Sequence, residues 1–344
     1  DGTRYLVNNL IKGKDYWFAV QAIDNGGATS VISNIVKYSA TNTWYVDTIP
    51  TSINLGSAEY PYNVIQNVID IAEAGDTILI NNGTYVENLQ LFNKSLTLKA
   101  RNLSKAIIDP VDARTKSTLN IQDIANCCYE GIDYIKPRNN IIGLVFTGNT
   151  AIDWGNNDAP AVLNITNNSN PLFESCTFNY NSSQYLVRFD RSAPTFNNCL
   201  IVNNNLQNGL FQVNYEDTTR PRTNIPRFVH SVFDNNSFFS RGSSTINGIA
   251  IFNSIVSNNG YDEQFNETNF RIANSIVDNK KLADRSSTNL FADPQFNNPS
   301  SFDYSLSNSS PALGRGGSEL IITGSQSVDT VRTLDYDFNY SKRP

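Results

Sequence analysis

The central part of the chain repeats one short phrase at a nearly constant interval. The copies are FESCTF at 173–178, FNNCLI at 196–201, FVHSVF at 228–233, FNSIV at 252–256 and ANSIV at 273–277. The successive copies are 23, 32, 23 and 21 residues apart. A period of about 22 residues is typical of a solenoid, in which each repeat is one coil that buries its apolar side only against neighbouring coils.

One column of the aligned phrase is polar or small in every copy, and it holds Ser175, Asn198, His230, Asn253 and Asn274. Stacked coils bring such residues above one another at the strand spacing of roughly 4.8 Å. We therefore predict a ladder of side-chain amides along this column. His230 is the only histidine and a candidate general base, but its place in the column favours a structural role.

The four cysteines do not form a metal-binding pattern, and with a single histidine they predict no zinc site. Cys176 and Cys199 fall in the next column, one coil apart. That separation is within reach of a disulfide, and it equally suits two small buried apolar side chains. Both alternatives stay open at this point.

The chain N-terminal to the repeats changes its pattern twice. Residues 1–38 alternate with the period of a β-strand, as in Tyr16, Phe18 and Val20. Further on, Val64, Val68 and Ala72 recur every fourth residue, which predicts a helix of about three turns that Gly75 would end. A strand is expected at 76–80, directly after that glycine.

Two stretches resemble the right-handed parallel β-helix proteins of the pectin-lyase-like superfamily. Gly75-Asp76-Thr77-Ile78, Gly83-Thr84-Tyr85-Val86-Glu87 and the strand at 94–98 follow the order of that family's entry segment, which begins with a capping helix. The segment 289–317 is similar to the closing part of bacterial surface β-helix proteins with a choice-of-anchor end. Leu10, Gly13 and Tyr16 resemble the end of a fibronectin type III domain, in which Tyr16 would be the corner tyrosine.

These observations predict an all-β chain in two domains. Residues 1–40 would be the C-terminal part of a fibronectin type III-like β-sandwich, and residues 41–344 a right-handed parallel β-helix of roughly ten coils with an N-terminal capping helix. A sandwich does not close on two or three strands, so the missing strands are expected upstream. The lack of any methionine also indicates an internal or processed piece.

Composition narrows the function classes. The net charge is −6 and only 17% of the residues are charged, which argues against a nucleic-acid partner. The sequence has no apolar run long enough to span a membrane. We therefore predict an extracellular or cell-surface bacterial protein, associated with the outer membrane, whose partners are polysaccharides or other surface proteins.

Candidate ligand-binding residues gather around an insertion. The 32-residue interval is longer than its neighbours, and its surplus within 204–226 predicts a loop pushed out of one coil. In VRFDRS, a strand would place Arg188 and Asp190 on one face. A groove of arginines and acids beside the loop would suit an acidic glycan, and Trp154 and Tyr215 would suit stacking on sugar rings. The candidate ligand-binding residues are Arg188, Arg191, Tyr215, Glu216, Asp217, Arg222 and Trp154.

Catalysis is not decided by the sequence. The clustered aspartates of a polygalacturonase-type hydrolase are absent, whereas Arg188, Asp190 and Arg191 are candidates for an eliminating lyase. We expect no cofactor or resident metal, with calcium on Asp153, Asp158 and Glu174 as the alternative. The favoured function is a non-catalytic module that binds glycans or a partner. The alternatives are a lyase acting on acidic polysaccharides, and a structural spacer or subunit of a surface assembly.

Overall fold

A computed structural model gives the fold of the chain. It describes residues 7, 10, 15–39, 41–122, 139–150, 161–167, 169–190, 192–214, 225–237, 239, 248–261, 265–267, 270–323, 328–332 and 337. Near the N-terminus, β1 (Asp15–Phe18) and β2 (Val36–Ser39) form an antiparallel pair. The assignment of this segment to a fibronectin type III-like domain, and of Tyr16 to a corner tyrosine, stays a prediction.

Three parallel sheets run side by side through the rest of the described chain. Sheet 1 consists of β3 (Thr43–Val46), β4 (Thr77–Ile80), β7 (Thr97–Ala100), β10 (Asn140–Ile142), β13 (Leu172–Glu174), β16 (Thr195–Asn197), β19 (Arg227–Val229), β21 (Ile249–Phe252) and β23 (Phe270–Ala273). Sheet 2 consists of β5 (Gly83–Val86), β8 (Ala106–Asp109), β11 (Leu144–Phe146), β14 (Thr177–Asn179), β17 (Leu200–Val202), β20 (Val232–Asp234), β22 (Ile255–Ser257), β24 (Ile276–Val277) and β25 (Leu290–Phe291). Sheet 3 consists of β6 (Leu89–Phe92), β9 (Leu119–Gln122), β12 (Leu163–Thr166), β15 (Ser182–Asp190) and β18 (Asn205–Asn214).

The chain visits the three sheets in turn, and each visit pairs with the strand one coil earlier. For example, β13 pairs with β16, β14 with β17 and β15 with β18, all in parallel. The predicted right-handed parallel β-helix is thereby confirmed. Asn205–Asn214, within the region predicted as an extruded loop, is instead strand β18, because its pairing with β15 satisfies its backbone groups.

Aromatic and aliphatic side chains fill the interior between the sheets. Phe173, Phe196 and Phe228 come from successive coils of sheet 1, and their rings stack with centroids 4.7 and 4.4 Å apart. All three are almost fully buried. Because Phe196 is covered on both sides by the equivalent rings of the neighbouring coils, the repeat itself builds the core.

A single helix precedes the second strand of sheet 1. Helix α1 (Ile65–Ile71) is shorter than the three turns predicted, and its buried residues Ile65, Val68 and Ile69 join the solenoid core. The carboxylate of Glu87 accepts the backbone N–H groups of Ile65 and Gln66 at 2.8 and 2.9 Å, which occupies donors that a helix start leaves without partners. Gly75 has the predicted positive φ, 92°, but it does not end the helix, because α1 already ends at Ile71 with Ala72 as its C-cap. The role of α1 as a cap stays a prediction.

Two polar features lie at the corners between sheets. Ser175, Asn198, His230, Asn253 and Asn274 stack at the first corner, between sheets 1 and 2, each with φ of 50–52°. The left-handed backbone explains the asparagines there, because Asn tolerates this conformation better than most residues. Within this column Asn253 Nδ2 and His230 Nε2 lie 3.5 Å apart, and the amide ladder along the whole column stays a prediction.

A buried ladder of side-chain amides lies at the second corner, between sheets 2 and 3. Asn181 Nδ2 donates to Asn204 Oδ1, Asn204 Nδ2 to Asn236 Oδ1, and Asn236 Nδ2 to Asn259 Oδ1, at 2.8–2.9 Å. Asp278 ends the ladder by accepting the backbone N–H of Asn259 at 3.0 Å. Each amide therefore bonds the coil above and the coil below within a buried corner.

The cysteine alternatives are resolved in favour of free thiols. Cys176 and Cys199 are both unpaired and fully buried. The Cys176 thiol donates to the Ile141 carbonyl at 3.2 Å, and burial raises the pKa of the Cys199 thiol well above its usual value. Both therefore act as small core residues.

The residues 296–323, here called the strap, return along the outside of the last coils. The strap contains β26 (Phe296–Asn298), a short 3-10 helix (Pro299–Ser301), β27 (Asp303–Leu306) and β28 (Glu319–Thr323), which pairs with β29 (Val328–Arg332). Phe302 packs edge-on against Tyr180 at the second corner. Gly317 exchanges two hydrogen bonds of 2.8 and 2.9 Å with the Asn253 side chain at the first corner.

The strap also covers apolar side chains that point outward. Leu320 packs against a cluster that includes Val229 and Phe252, on the outer face of sheet 1. Phe252 is fully buried although it points away from the solenoid interior. No helix within the described ranges is long and apolar enough to cross a membrane.

Gly317 provides a direct test of the strap. An alanine Cβ there would overlap Asn274 Nδ2, whereas one at Gly316 would meet nothing closer than 3.8 Å. We expect Gly317→Ala to lower the free energy of unfolding by about 1–2 kcal/mol, since the Asn274 amide must be displaced. Hydrogen exchange of residues 314–323 should accelerate in this variant and stay unchanged in Gly316→Ala. Equal behaviour of the two variants would contradict this docking.

Candidate ligand-binding site

The outer face of sheet 3 carries an in-register row of polar side chains. Apolar residues such as Leu119, Leu163 and Val187 alternate with them and are fully buried in the core. The row, here called the outer row, is set by the parallel pairing of consecutive strands. It consists of Gln90, Asn120, Asn164, Arg188 and Gln212.

A surface cleft of about 220 Å³ opens over the N-terminal part of this row. Two cationic side chains, Lys116 and Arg188, line it together with amides and hydroxyls. The other lining residues are Asn88, Leu89, Gln90, Thr115, Ser117, Asn120 and Asn164. Since none of these nine residues is acidic, the lining carries net positive charge in a chain whose net charge is −6.

Hydrogen bonds fix several of the lining side chains. Asn164 Nδ2 donates to Asn120 Oδ1 at 3.1 Å, between neighbouring coils of the outer row. Asn88 Nδ2 donates to the Ser117 carbonyl at 3.0 Å, and Asn88 Oδ1 accepts the N–H of Asp112 at 2.8 Å. The turn before β9, which contains Lys116, is thus tied to the preceding coil.

One lining atom lacks a partner. Asn164 Oδ1 is shielded from solvent and accepts no hydrogen bond among the residues that the structure describes. Leaving such an acceptor unsatisfied costs about 1–3 kcal/mol. A hydroxyl group bound at the floor of the cleft would supply the missing donor.

The surroundings of Arg188 reinforce this chemistry. Arg188 and Asp190 lie on the outer face of β15, with Phe189 fully buried between them. Tyr185 lies near Arg188 on the same strand, and burial is the main reason that the pKa of its phenol is raised. Tyr185 therefore stays neutral at physiological pH and adds no negative charge beside Arg188.

The other site residues predicted from the sequence lie outside the described residues or away from the cleft. Arg191, Tyr215, Glu216, Asp217, Arg222 and Trp154 lie outside the described residues, as do Asp153 and Asp158. Glu174 ends β13 of sheet 1, away from the cleft. Within the described part of the chain, no three His, Cys, Asp or Glu side chains gather as metal ligands would.

Lys116, Asn120 and Asn164 are the residues that the sequence interpretation missed. The signal for Asn120 and Asn164 is the recurring Leu-x-Ile or Leu-x-Leu triplet at 89–91, 119–121 and 163–165, whereas Lys116 lies outside these triplets. The second position of this triplet is the outer-row residue. The triplets are separated by 30 and 44 residues, so no constant period connects them.

Comparison with known proteins yields similarity of fold. No family model and no curated protein matches the chain. Among solved structures, pectate lyase Pel9A is 17% identical with a TM-score of 0.47, over 69% of this chain and 63% of the lyase. A rhamnogalacturonan lyase is 15% identical with a TM-score of 0.36, over 69% of this chain and 68% of that chain. Pectin methylesterase PemA from Erwinia chrysanthemi is 15% identical with a TM-score of 0.35, over 70% of this chain and 90% of that enzyme.

Proposed function

We propose that the chain is a non-catalytic module that binds acidic polysaccharides on the outer face of sheet 3. The observation that carries this proposal is the pairing of Lys116 and Arg188 in one cleft without an acidic lining residue. An anionic sugar gains charge-assisted hydrogen bonds from both cations. Its hydroxyl groups match the surrounding amides, including the unpartnered Asn164 Oδ1.

The lining also bears on the catalytic alternatives. Glycoside hydrolysis ordinarily uses two carboxyl groups that flank the scissile bond, and the nine lining residues contain none. An eliminating lyase needs a base and a group that neutralises the uronate, and Lys116 beside Arg188 would fit those roles. A lyase is therefore the second candidate function, and the spacer or assembly subunit is the third.

An extracellular or cell-surface location, with outer-membrane association, belongs to the same proposal. Acidic polysaccharides are abundant outside cells, where such a module would meet its ligand. Binding to partner proteins on that surface is an additional role to be tested with the same material.

The test is retention on immobilised acidic polysaccharides, such as hyaluronan and polygalacturonate, with neutral dextran as the control matrix. We expect Arg188→Ala to weaken binding by about tenfold to a hundredfold, the loss of one hydrogen bond to a charged group. Arg101→Ala is the matched control, because Arg101 is an exposed arginine on another part of the surface, and it should bind normally.

Three results are distinguishable. Retention without new product supports the binding module. Release of unsaturated oligosaccharides, seen as ultraviolet absorbance that Lys116→Ala abolishes, would establish the lyase. Lack of retention on every acidic matrix would overturn the proposal in favour of the spacer.

A further inference from the structure

The loop 112–118, here called the cleft loop, carries Lys116 to the cleft and is anchored on one side by a single amide. Asn88 Oδ1 accepts the backbone N–H of Asp112 at 2.8 Å, and Asn88 Nδ2 donates to the Ser117 carbonyl at 3.0 Å. Both ends of the loop are thereby bonded to one side chain of the preceding coil. A loop that is already ordered loses little further conformational freedom when a ligand binds.

The following coil holds the same loop from the other side. Thr150 donates its backbone N–H to the Ala113 carbonyl at 2.9 Å. Asn149 Nδ2 donates to the Lys116 carbonyl at 3.1 Å and to Thr118 Oγ1 at 3.2 Å. The backbone of the cleft cation Lys116 is therefore bonded directly to a side chain of the neighbouring coil.

Asn149 belongs to the buried interior and is not among the residues that line the cleft. Its backbone N–H donates to Asn181 Oδ1 at 3.2 Å, and Asn181 in turn donates to Asn204 in the amide ladder at the second corner. Asn149 therefore continues that ladder by one coil, up to the cleft loop. A buried ladder and an exposed cation are thus joined through one hydrogen bond to the Lys116 carbonyl.

The charges of the cleft loop explain why its position matters. The loop carries one acid, Asp112, whose carboxylate accepts both the hydroxyl and the backbone N–H of Thr115. These two bonds are the main reason that the pKa of Asp112 is lowered, and the charge of Lys116 contributes further. Asp112 is therefore ionised at physiological pH and lies near Lys116. If the loop were released, Lys116 could pair with Asp112 instead of with a bound anion.

We infer that Asn149 is a positioning residue for the cleft: it fixes the backbone of Lys116, so that the ammonium group meets the ligand and not Asp112. This inference rests on the proposed function. Asn88 performs the same task from the preceding coil. The fixed loop gives the cleft a cation whose position is set before the ligand arrives, which lowers the entropic cost of binding.

The test is a double-mutant cycle on the full chain, measured by calorimetry with hyaluronan and polygalacturonate oligosaccharides as probes. We expect Asn149→Ala to weaken binding by about threefold to tenfold, because the loop must then be ordered when the ligand binds. In the Lys116→Ala background the same substitution should change the affinity by less than about twofold, because the cation that Asn149 positions is gone.

Asn236→Ala is the matched control. Asn236 is an amide of the same ladder, 2% exposed, and lies three coils beyond Asn149. Its loss removes comparable buried hydrogen bonds far from the cleft loop, so the affinity should stay unchanged at a temperature where both variants are folded by circular dichroism. Hydrogen exchange of residues 112–118 should accelerate in Asn149→Ala and stay unchanged in Asn236→Ala.

Asn88→Ala repeats the cycle from the preceding coil, at a half-buried position that tolerates truncation better. It replaces Asn149→Ala if that variant does not fold. Asn88 also lines the cleft, and the cycle separates its two roles. A direct contact with the ligand would still be lost in the Lys116→Ala background, whereas a positioning effect would vanish there.

The failure of this inference is distinguishable from that of the proposed function. If neither acidic probe binds the wild-type chain, the proposed function fails, and the hydrogen-exchange comparison decides whether Asn149 holds the loop. The module stands and the positioning role is wrong if Asn149→Ala weakens binding equally with and without Lys116. The same conclusion follows if Asn236→Ala weakens binding as much as Asn149→Ala.

Discussion

Asn204→Ala should be among the most destabilising single substitutions in this chain, at about 4 kcal/mol. Asn204 is almost fully buried, and its Nδ2 donates to Asn236 Oδ1 and to the Phe178 and Val202 carbonyls. Its Oδ1 accepts from Asn181. Alanine would leave buried donors and acceptors of two neighbouring coils unpaired, each at a cost of about 1–3 kcal/mol.

The measurement is chemical denaturation followed by circular dichroism. Asn205→Ala is the matched control, since this neighbour is exposed and makes one weak side-chain bond of 3.5 Å. Its effect should stay within about 0.5 kcal/mol. Similar losses in the two variants would mean that the ladder contributes little to stability.

Phe196→Ala should have an effect of similar size through packing. Phe196 lies between the rings of Phe173 and Phe228, and its side chain is about 1% exposed. Its removal leaves a cavity at the centre of the aromatic stack, and such truncations cost about 3–5 kcal/mol. Both neighbouring rings lose a contact surface at once.

Phe291→Ala provides the comparison for this stack. Phe291 is 57% exposed at the last strand of sheet 2, so its truncation should change the free energy of unfolding by about 0.5 kcal/mol or less. Thermal and chemical denaturation of both variants measure their free energies of unfolding. A loss below about 1 kcal/mol for Phe196→Ala would show that the coils collapse around the missing ring, contrary to our expectation.

The sequence predicts the solenoid because the five copies of the repeated phrase, which form the later strands of sheets 1 and 2, recur 23, 32, 23 and 21 residues apart. The phrase that begins at Phe173, Phe196 and Phe228 contains one strand of sheet 1, the corner and one strand of sheet 2. Its alternation alone assigns the inward residues. Each coil therefore carries enough local information to be recognised without knowledge of its neighbours.

The position of the amide ladder shows where such inference ends. Asparagine is favoured at Asn198 because the backbone there is left-handed, with φ of 52°, and at Asn204 because its amide bonds two coils. The first three intervals, 23, 32 and 23 residues, are the same in both columns. Side-chain contacts separate the two physical reasons: Asn204 bonds the amides of the neighbouring coils, whereas Asn198 Nδ2 donates to the Asp337 carbonyl.

Only part of the candidate site could be predicted from the sequence, because the register between coils cannot be obtained from the sequence alone. Arg188 stands out in the sequence as a cation within an alternating strand, whereas Lys116 lies in a turn and Asn164 in a strand of unremarkable composition. Their proximity follows from the pairing of β9, β12 and β15. The intervals between these strands vary, so their register emerges only when the coils are stacked.

Because the rise per coil is constant, the residues of the outer row are equally spaced along the solenoid axis. Each coil that forms a strand of sheet 3 adds one residue to the outer row. The amide ladder at the second corner holds neighbouring coils, and therefore neighbouring row residues, at equal distances. Insertion or loss of one whole coil would therefore lengthen or shorten the outer row by one residue. The spacing of the remaining row residues would not change. A related solenoid could thus bind a longer or shorter ligand through a different number of coils, with each individual contact unchanged.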